Sequence, residues 1–253
     1  MLSLILCGCS DIDILHAVDR EIFGPRAVND FIDLTGKDPG EITELVCDPG
    51  EDTALSASHF DKLGKLEKLE SVTFVGISSE EDAQDLLGEL TKLDKLRSLT
   101  IKDSRVGSVS KLKDMKSLEE VHLTAGTYSG KSYKIGDLEE LTKIRKLKVL
   151  DLQNVFPDTL PDLRKAEDLE DLTLSSYDIS EIPYETANWN KLKRLSFYAT
   201  GISRIDDRII KELDSLESLD ISYSKIEDVT FVRDLPCLKE FKYRQAPYEE
   251  QSP

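Results

Sequence analysis

Long apolar runs are missing from this chain of 253 residues: no stretch approaches the roughly 20 consecutive apolar residues that a helix needs to cross a bilayer. The body of the chain therefore has no helical membrane span. Positive charge is also scarce, with 33 Lys and Arg against 50 Asp and Glu, for a formal charge of -17. Phosphate backbones and anionic lipid would be repelled, so nucleic acid is not an expected partner. Four cysteines, Cys7, Cys9, Cys47 and Cys237, are too few and too scattered for a disulfide framework, and no C-x-x-C spacing suits a metal. His16, His59 and His122 lie far apart, and there is no P-loop, no dinucleotide-binding glycine fingerprint and no H-E-x-x-H. No cofactor and no metal site is expected. The acidic stretch "CDPGED" gathers Asp48, Glu51 and Asp52 but lacks the alternating ligands of an EF-hand loop, and it reads as a turn.

What the chain has in abundance is one repeated pattern. It reads "LEKLESVTF", "LDKLRSLTI", "MKSLEEVHL", "IRKLKVLDL", "AEDLEDLTL", "WNKLKRLSF", "LDSLESLDI" and "LPCLKEFKY", with "ITELVC" as a shortened first copy. The third apolar position falls at Leu45, Val72, Leu99, Val121, Leu150, Leu172, Leu195, Leu219 and Phe241, with gaps of 27, 27, 22, 29, 22, 23, 24 and 22 residues. A period of about 20–29 residues is that of a leucine-rich repeat. The closing L-x-L alternates with period two and predicts a short strand with its leucines on one face. A second apolar pair in several copies, such as Ile179 and Ile182, Ile202 and Ile205, or Ile226 and Val229, brings the chain back over the core. No copy can bury its apolar face alone, so the nine copies must stack.

The longer copies predict the outer side of that stack. In "SSEEDAQDLLGELTKL", Ser79 and Asp82 form an N-terminal capping pair, and Ala83, Leu86, Leu87, Leu90 and Leu93 keep helical spacing. Shorter copies such as "VGSVSKLKDM" have room only for turns or 3-10 pieces. The 29-residue copy carries "GTYSGKSYKIGD", rich in Gly, Ser and Tyr, and residues 127–137 are expected to project as a loop.

On these residues the chain resembles bacterial leucine-rich-repeat proteins of internalin-like type, over roughly residues 25–245. The resemblance implies an α/β leucine-rich-repeat solenoid: a curved horseshoe with a parallel sheet on the concave face and helices or 3-10 turns on the convex face. The segment "PRAVNDFIDLTGKDPGEIT" is similar to the helical N-terminal cap of that group, with Pro25 suited to the first helical position and Gly36 to the stop. Where the family usually carries asparagine, three residues beyond the last strand leucine, this chain has Ser104, Tyr177, Thr200 and Ser224. The hydroxyls there can still bond the turn backbone. The expected organisation is thus a leader remnant at 1–9, a tether at 10–24, a helical cap at 25–41, about nine repeats at 42–245 and a tail at 246–253.

Function in such a stack belongs to the strand positions that the core leaves free. The ladder between the leucines reads Val46, Thr73, Thr100, His122, Asp151, Thr173, Ser196, Asp220 and Lys242. Lys102, Gln153, Tyr198, Ser222, Tyr223 and Arg244 are expected beside it, facing the same concavity. Tyr and Arg are enriched at protein interfaces, which puts a partner-binding surface around Tyr198, Asp220 and Tyr223. Lys102, His122, Asp151, Gln153, Ser222 and Arg244 complete the expected binding face, for a protein or a glycan ligand of a monomeric receptor. Thr100, His122 and Asp151 stand in one row and match the residue types of a nucleophilic triad, but an open sheet offers no pocket, no oxyanion donors and no G-x-S-x-G elbow. A hydrolase built on His122 and Asp151 is the remote alternative, and a non-catalytic binding module is the expectation.

The opening "MLSLILCGC" has no task in the repeat. It resembles the end of a bacterial lipoprotein signal, with Leu6, Cys7, Gly8 and Cys9 as the lipobox and Cys9 as the acylated residue. That implies a solenoid tethered to the bacterial cell envelope by its lipid. The competing expectation is an apolar strand or cap lying against the first repeat of a cytoplasmic scaffold. Cys47 and Cys237 belong to opposite ends of the stack and are expected to be free thiols, Cys47 filling a strand leucine position.

Overall fold

A computed structural model of the chain describes residues 3–7, 41–48, 63–128, 131–132, 134–155, 160–175, 179–184 and 188–245. One ten-stranded sheet runs through it in sequence order: β1 (Ser3–Cys7), β2 (Glu44–Asp48), β3 (Ser71–Val75), β4 (Ser98–Ser104), β5 (Glu120–Ala125), then β8 (Val149–Gln153), β9 (Asp171–Ser175), β10 (Arg194–Ser196), β11 (Ser218–Asp220) and β12 (Glu240–Lys242). Every neighbouring pair in it is parallel. This is a leucine-rich-repeat solenoid. The strands alternate half-buried and buried residues, so the period-two pattern becomes one wall of core and one open face.

The core is continuous from Ile42 to Leu235. Leu45, Val72, Leu99, Val121, Leu150, Leu172 and Leu219 are fully buried, and Leu195 nearly so. Each such side chain is worth about 1.5–3 kcal/mol in area removed from water, which is why the leucine positions govern the fold. Cys47 takes a leucine's place in β2, and its burial pushes the thiol well above the ordinary range. Cys237 is exposed at the far end of the stack, as expected.

The convex side is built of helices and 3-10 turns. The helix α1 (Glu80–Leu90) fills a long copy: Ser79 Oγ accepts from the Asp82 amide at 3.1 Å, and Ala83, Leu86, Leu87 and Leu90 are buried. Shorter copies close with 3-10 turns at Ser110–Asp114, Leu163–Lys165 and Thr230–Asp234, and the 29-residue copy does so at Leu138–Lys143. One short copy makes a single α turn, α2 (Asp207–Ile210), capped by Asp206. The expected loop at 127–137 holds a small antiparallel hairpin of β6 (Thr127–Tyr128) and β7 (Lys131–Ser132).

Two repeated devices at the strand ends are not apparent from the leucine pattern. The residue entering each strand runs Thr43, Glu70, Arg97, Glu119, Lys148, Glu170, Lys193, Glu217 and Lys239, alternating in sign from Glu70 onward. Each carbonyl in this row up to Glu217 accepts two amides of the next copy at 2.7–3.1 Å, a continuous seam between repeats. The side chains follow: Glu119 pairs with Lys148 at 2.8 Å and Arg97 at 3.7 Å, Glu170 with Lys193 at 2.7 Å and Glu217 with Lys239 at 2.9 Å. Hydrogen bonds from these lysines hold the Glu119, Glu170 and Glu217 carboxyls below the usual range. Such exposed pairs stabilise weakly one by one, so the backbone seam carries the geometry and the charges decorate it.

The residue leaving the strand takes a left-handed conformation at Gly76, Asp103, Asn154, Ala199 and Tyr223. Next to it stand the hydroxyls that replace the asparagine ladder. Ser104 Oγ accepts from the Ile77 amide at 3.0 Å and donates to the Lys102 carbonyl, while Thr200 and Ser224 donate to Phe197 and Ile221 carbonyls at 3.0 and 2.8 Å. The turn backbone is therefore satisfied without asparagine, as the hydroxyl reading required. Tyr177 lies outside the described residues.

Residues Ser3–Cys7, assigned above to a leader, form β1 and pair with β2 from Ser3 opposite Glu44 to Cys7 opposite Asp48. Leu4 falls in register with Leu45, so the opening stretch supplies a tenth strand, the alternative considered for it. Cys9, the tether at 10–24, residues 25–40 of the expected cap and the tail at 246–253 lie outside the described residues.

Candidate functional site

The polar ladder is assembled as the spacing predicts. Val46, Thr73, Thr100, His122, Asp151, Thr173, Ser196, Asp220 and Lys242 stand opposite one another strand by strand. At its middle, His122 Nδ1 lies 3.4 Å from Asp151 Oδ2, and Gln153 Nε2 donates to the same oxygen at 3.0 Å. Thr100 is next in the row, but among the described residues no hydroxyl is hydrogen-bonded to the imidazole. The carboxylate is thus shared with an amide, and the row has the shape of an open-faced polar contact rather than an activated nucleophile. Lys102 is exposed on β4.

The other end of the face is built differently. Tyr198, Asp220, Ser222, Tyr223, Lys242 and Arg244, with Phe241 and Tyr243, line an open concavity of about 500 Å³. Tyr198 and Tyr223 meet edge to face with ring centroids 5.3 Å apart, leaving Tyr198 44% exposed. Such aromatic pairs hold each other in place at low entropic cost while offering a large apolar contact. Arg244 is hydrogen-bonded to the Tyr223 side chain, which holds the guanidinium above its ordinary value. The cation is thereby oriented along the rim.

Tyr223 reaches this position through strain. Its φ is 60°, whereas the equivalent turn is made elsewhere by Gly76, Asp103, Asn154 and the small Ala199. Gly, Asn and Asp enter the left-handed region readily, but a bulky side chain does so at a cost of about 1–3 kcal/mol. The protein carries that cost at the one point where the turn puts an aromatic ring against Tyr198.

Ser222 lines the concavity with little exposure. It is only 7% exposed, in the turn just beyond β11 and between the segments that carry Tyr198 and Arg244 in the flanking copies. Its amide donates to Asp220 Oδ1 at 2.9 Å, which fixes that carboxylate on the floor of the concavity. Ser222 shapes the site instead of presenting a free hydroxyl. Phe241, Lys242 and Tyr243 were not among the expected site residues. Phe241 stands at a leucine position of the repeat, yet it is 37% exposed, and the aromatic and basic density of "FKYR" is the signal for it in the sequence.

Comparison with known proteins agrees with the architecture. No protein-family model matches the chain, and no curated protein does. Among solved structures, the chain is similar to a leucine-rich-repeat protein of Leptospira interrogans (TM-score 0.58, 20% identity, 79% of this chain and 48% of that one). It is also similar to internalin C2 of Listeria monocytogenes (0.54, 19% identity, 87% and 93%) and to a Listeria internalin, InlF (0.50, 16% identity, 83% and 70%). The chain spans about half the length of the Leptospira protein. At these identities the likeness is one of fold.

Proposed function

We propose that this chain is a non-catalytic protein-binding module that engages its partner on the concave face, at the concavity around Tyr198, Tyr223 and Arg244. The observation that carries this reading is Tyr223, a bulky residue kept in a left-handed turn that places its ring in the site. Aromatic and Arg anchors beside a polar rim are the composition of an interface hot spot. Asp220 and Lys242 supply opposite charges for register, and the fold presents the site on a rigid sheet. The Asp151 carboxylate shared with Gln153, with no hydroxyl bonded to His122 among the described residues, speaks against the hydrolase alternative.

Selection of a random peptide display library on the immobilised chain tests this. Enriched peptides are expected to lose at least about tenfold in affinity on Tyr223→Ala and on Arg244→Ala, the size typical of a hot-spot residue. Lys92→Ala on the convex side should leave binding unchanged. Peptides that bind all three variants equally, or no enrichment, would overturn the reading.

Attachment to a cell envelope through Cys9 is a separate proposal, supported by the lipobox-like "LCGC". Cleavage ahead of Cys9 would remove β1 and leave β2 as the outer strand, so strand and lipid are alternative fates of residues 3–7. Intact mass of the protein expressed in a bacterial host from any earlier in-frame start separates them: an acylated chain starting at Cys9 supports the anchor, and an unmodified chain retaining Ser3–Cys7 refutes it.

A further inference from the structure

The far end of the sheet holds a second interaction surface, which shares Phe241 and Lys242 with the concave site. Among the described residues β12 has a neighbour on one side only. Its inward groups are accounted for: the Lys242 carbonyl accepts from Ile221 and the Arg244 carbonyl from Tyr223, while the Glu240 amide donates to Glu217. By strand alternation, the N–H and C=O of Phe241 point outward. The apolar layer behind them is incompletely covered, with Phe241 exposed and Phe231, Val232 and Leu238 only partly buried. In the copies from Leu45 to Leu219 the residue at the position of Phe241 is buried.

We infer that the partner of this edge is a second copy of the same chain, paired antiparallel about a two-fold axis at Phe241. The strand is Glu240-Phe241-Lys242, which is self-complementary under that operation. Phe241 faces Phe241 of its mate as a hydrogen-bonded pair that exchanges both N–H···O=C bonds, and each Glu240 stands opposite a Lys242. Both charges lie on the same face of the strand, where they already pair within one chain at 3.1 Å. The mate therefore adds two opposite-charge contacts and no like-charge one. The two Phe241 rings meet on the other face and continue the core from one solenoid into the next, and the closed two-fold arrangement removes both free edges at once.

Sedimentation equilibrium of the whole chain at about 100 μM, where an association with Kd ~10 μM is mostly dimeric, tests this. The expected result is twice the mass of one chain. Glu240→Lys alone and Lys242→Glu alone each set like charges opposite one another and should return monomers, with thermal midpoints showing that the solenoid still folds. The double reversal restores the complement and should restore the dimer. A monomeric wild-type chain overturns the inference, as does a dimer that survives both single reversals. A chain that dimerises only when ended after Gln245 overturns it equally, by showing that residues 246–253 occupy the edge.

Discussion

Leu150→Ala is expected to lower the unfolding free energy by about 2–5 kcal/mol, whereas Val149→Ala, one residue away, should cost under about 1 kcal/mol. Both residues belong to β8, in the middle of the sheet. Leu150 points into the core and is fully buried, in register with Val121 on one side and Leu172 on the other. Its removal leaves a cavity that two neighbouring repeats share, and the rigid backbone seam between repeats keeps them from collapsing into it. Val149 lies on the open face and is half-buried, so shortening it mainly exposes surface. In a stack whose repeats contact only their neighbours, a defect at the centre also weakens the coupling between the two halves. Urea unfolding should therefore show a lower midpoint for Leu150→Ala and a shallower transition. Equal costs at the two positions would contradict the assignment of faces.

The same contrast explains what could be read in advance. Leu45 through Leu219 recur at intervals of 22–29 residues with period-two strands, and burial depends on little besides that recurrence, so the solenoid, the helix after Ser79 and the row from Val46 to Lys242 were legible. Ser222 and Phe241 were not, because their exposure depends on the size of residues in other copies. Ser222 disappears between Tyr198 and Arg244, and Phe241 stays exposed because β12 lacks an outer neighbour among the described residues. The strained turn at Tyr223 was hidden for a related reason: the left-handed position is set by the turn shared among copies, and only alignment on that turn shows Tyr where Gly, Asp, Asn or Ala stands elsewhere. The alternating charges from Glu70 to Lys239 were visible in principle once the copies are aligned two residues before each strand leucine.

Gly126→Ala should be severe for a reason that no residue pattern announces. β4 carries one residue more than β5 between Ile101 and Ser104, and the pairing of the two strands shifts register there, so that Ser104 comes opposite Ala125. The next residue, Gly126, is thereby pressed against the turn of the preceding copy. A Cβ there would come within 2.8 Å of the Asp103 carbonyl carbon, 3.0 Å of its oxygen and 3.1 Å of the Ser104 amide nitrogen. These are backbone atoms of a turn whose Asp103 already has φ 49° and whose Ser104 hydroxyl ties two copies together. No side chain can swing aside, so the β4–β5 seam itself must open, and a cost of about 1–3 kcal/mol is expected. Gly64 is the matched control: a Cβ there meets nothing within 4 Å, and alanine in that 3-10 turn should be neutral or stabilise by up to about 1 kcal/mol through the unfolded chain. Thermal midpoints of the two variants decide the matter. A Gly126→Ala midpoint at or above that of Gly64→Ala would mean that the two copies do not approach as closely as the register shift requires.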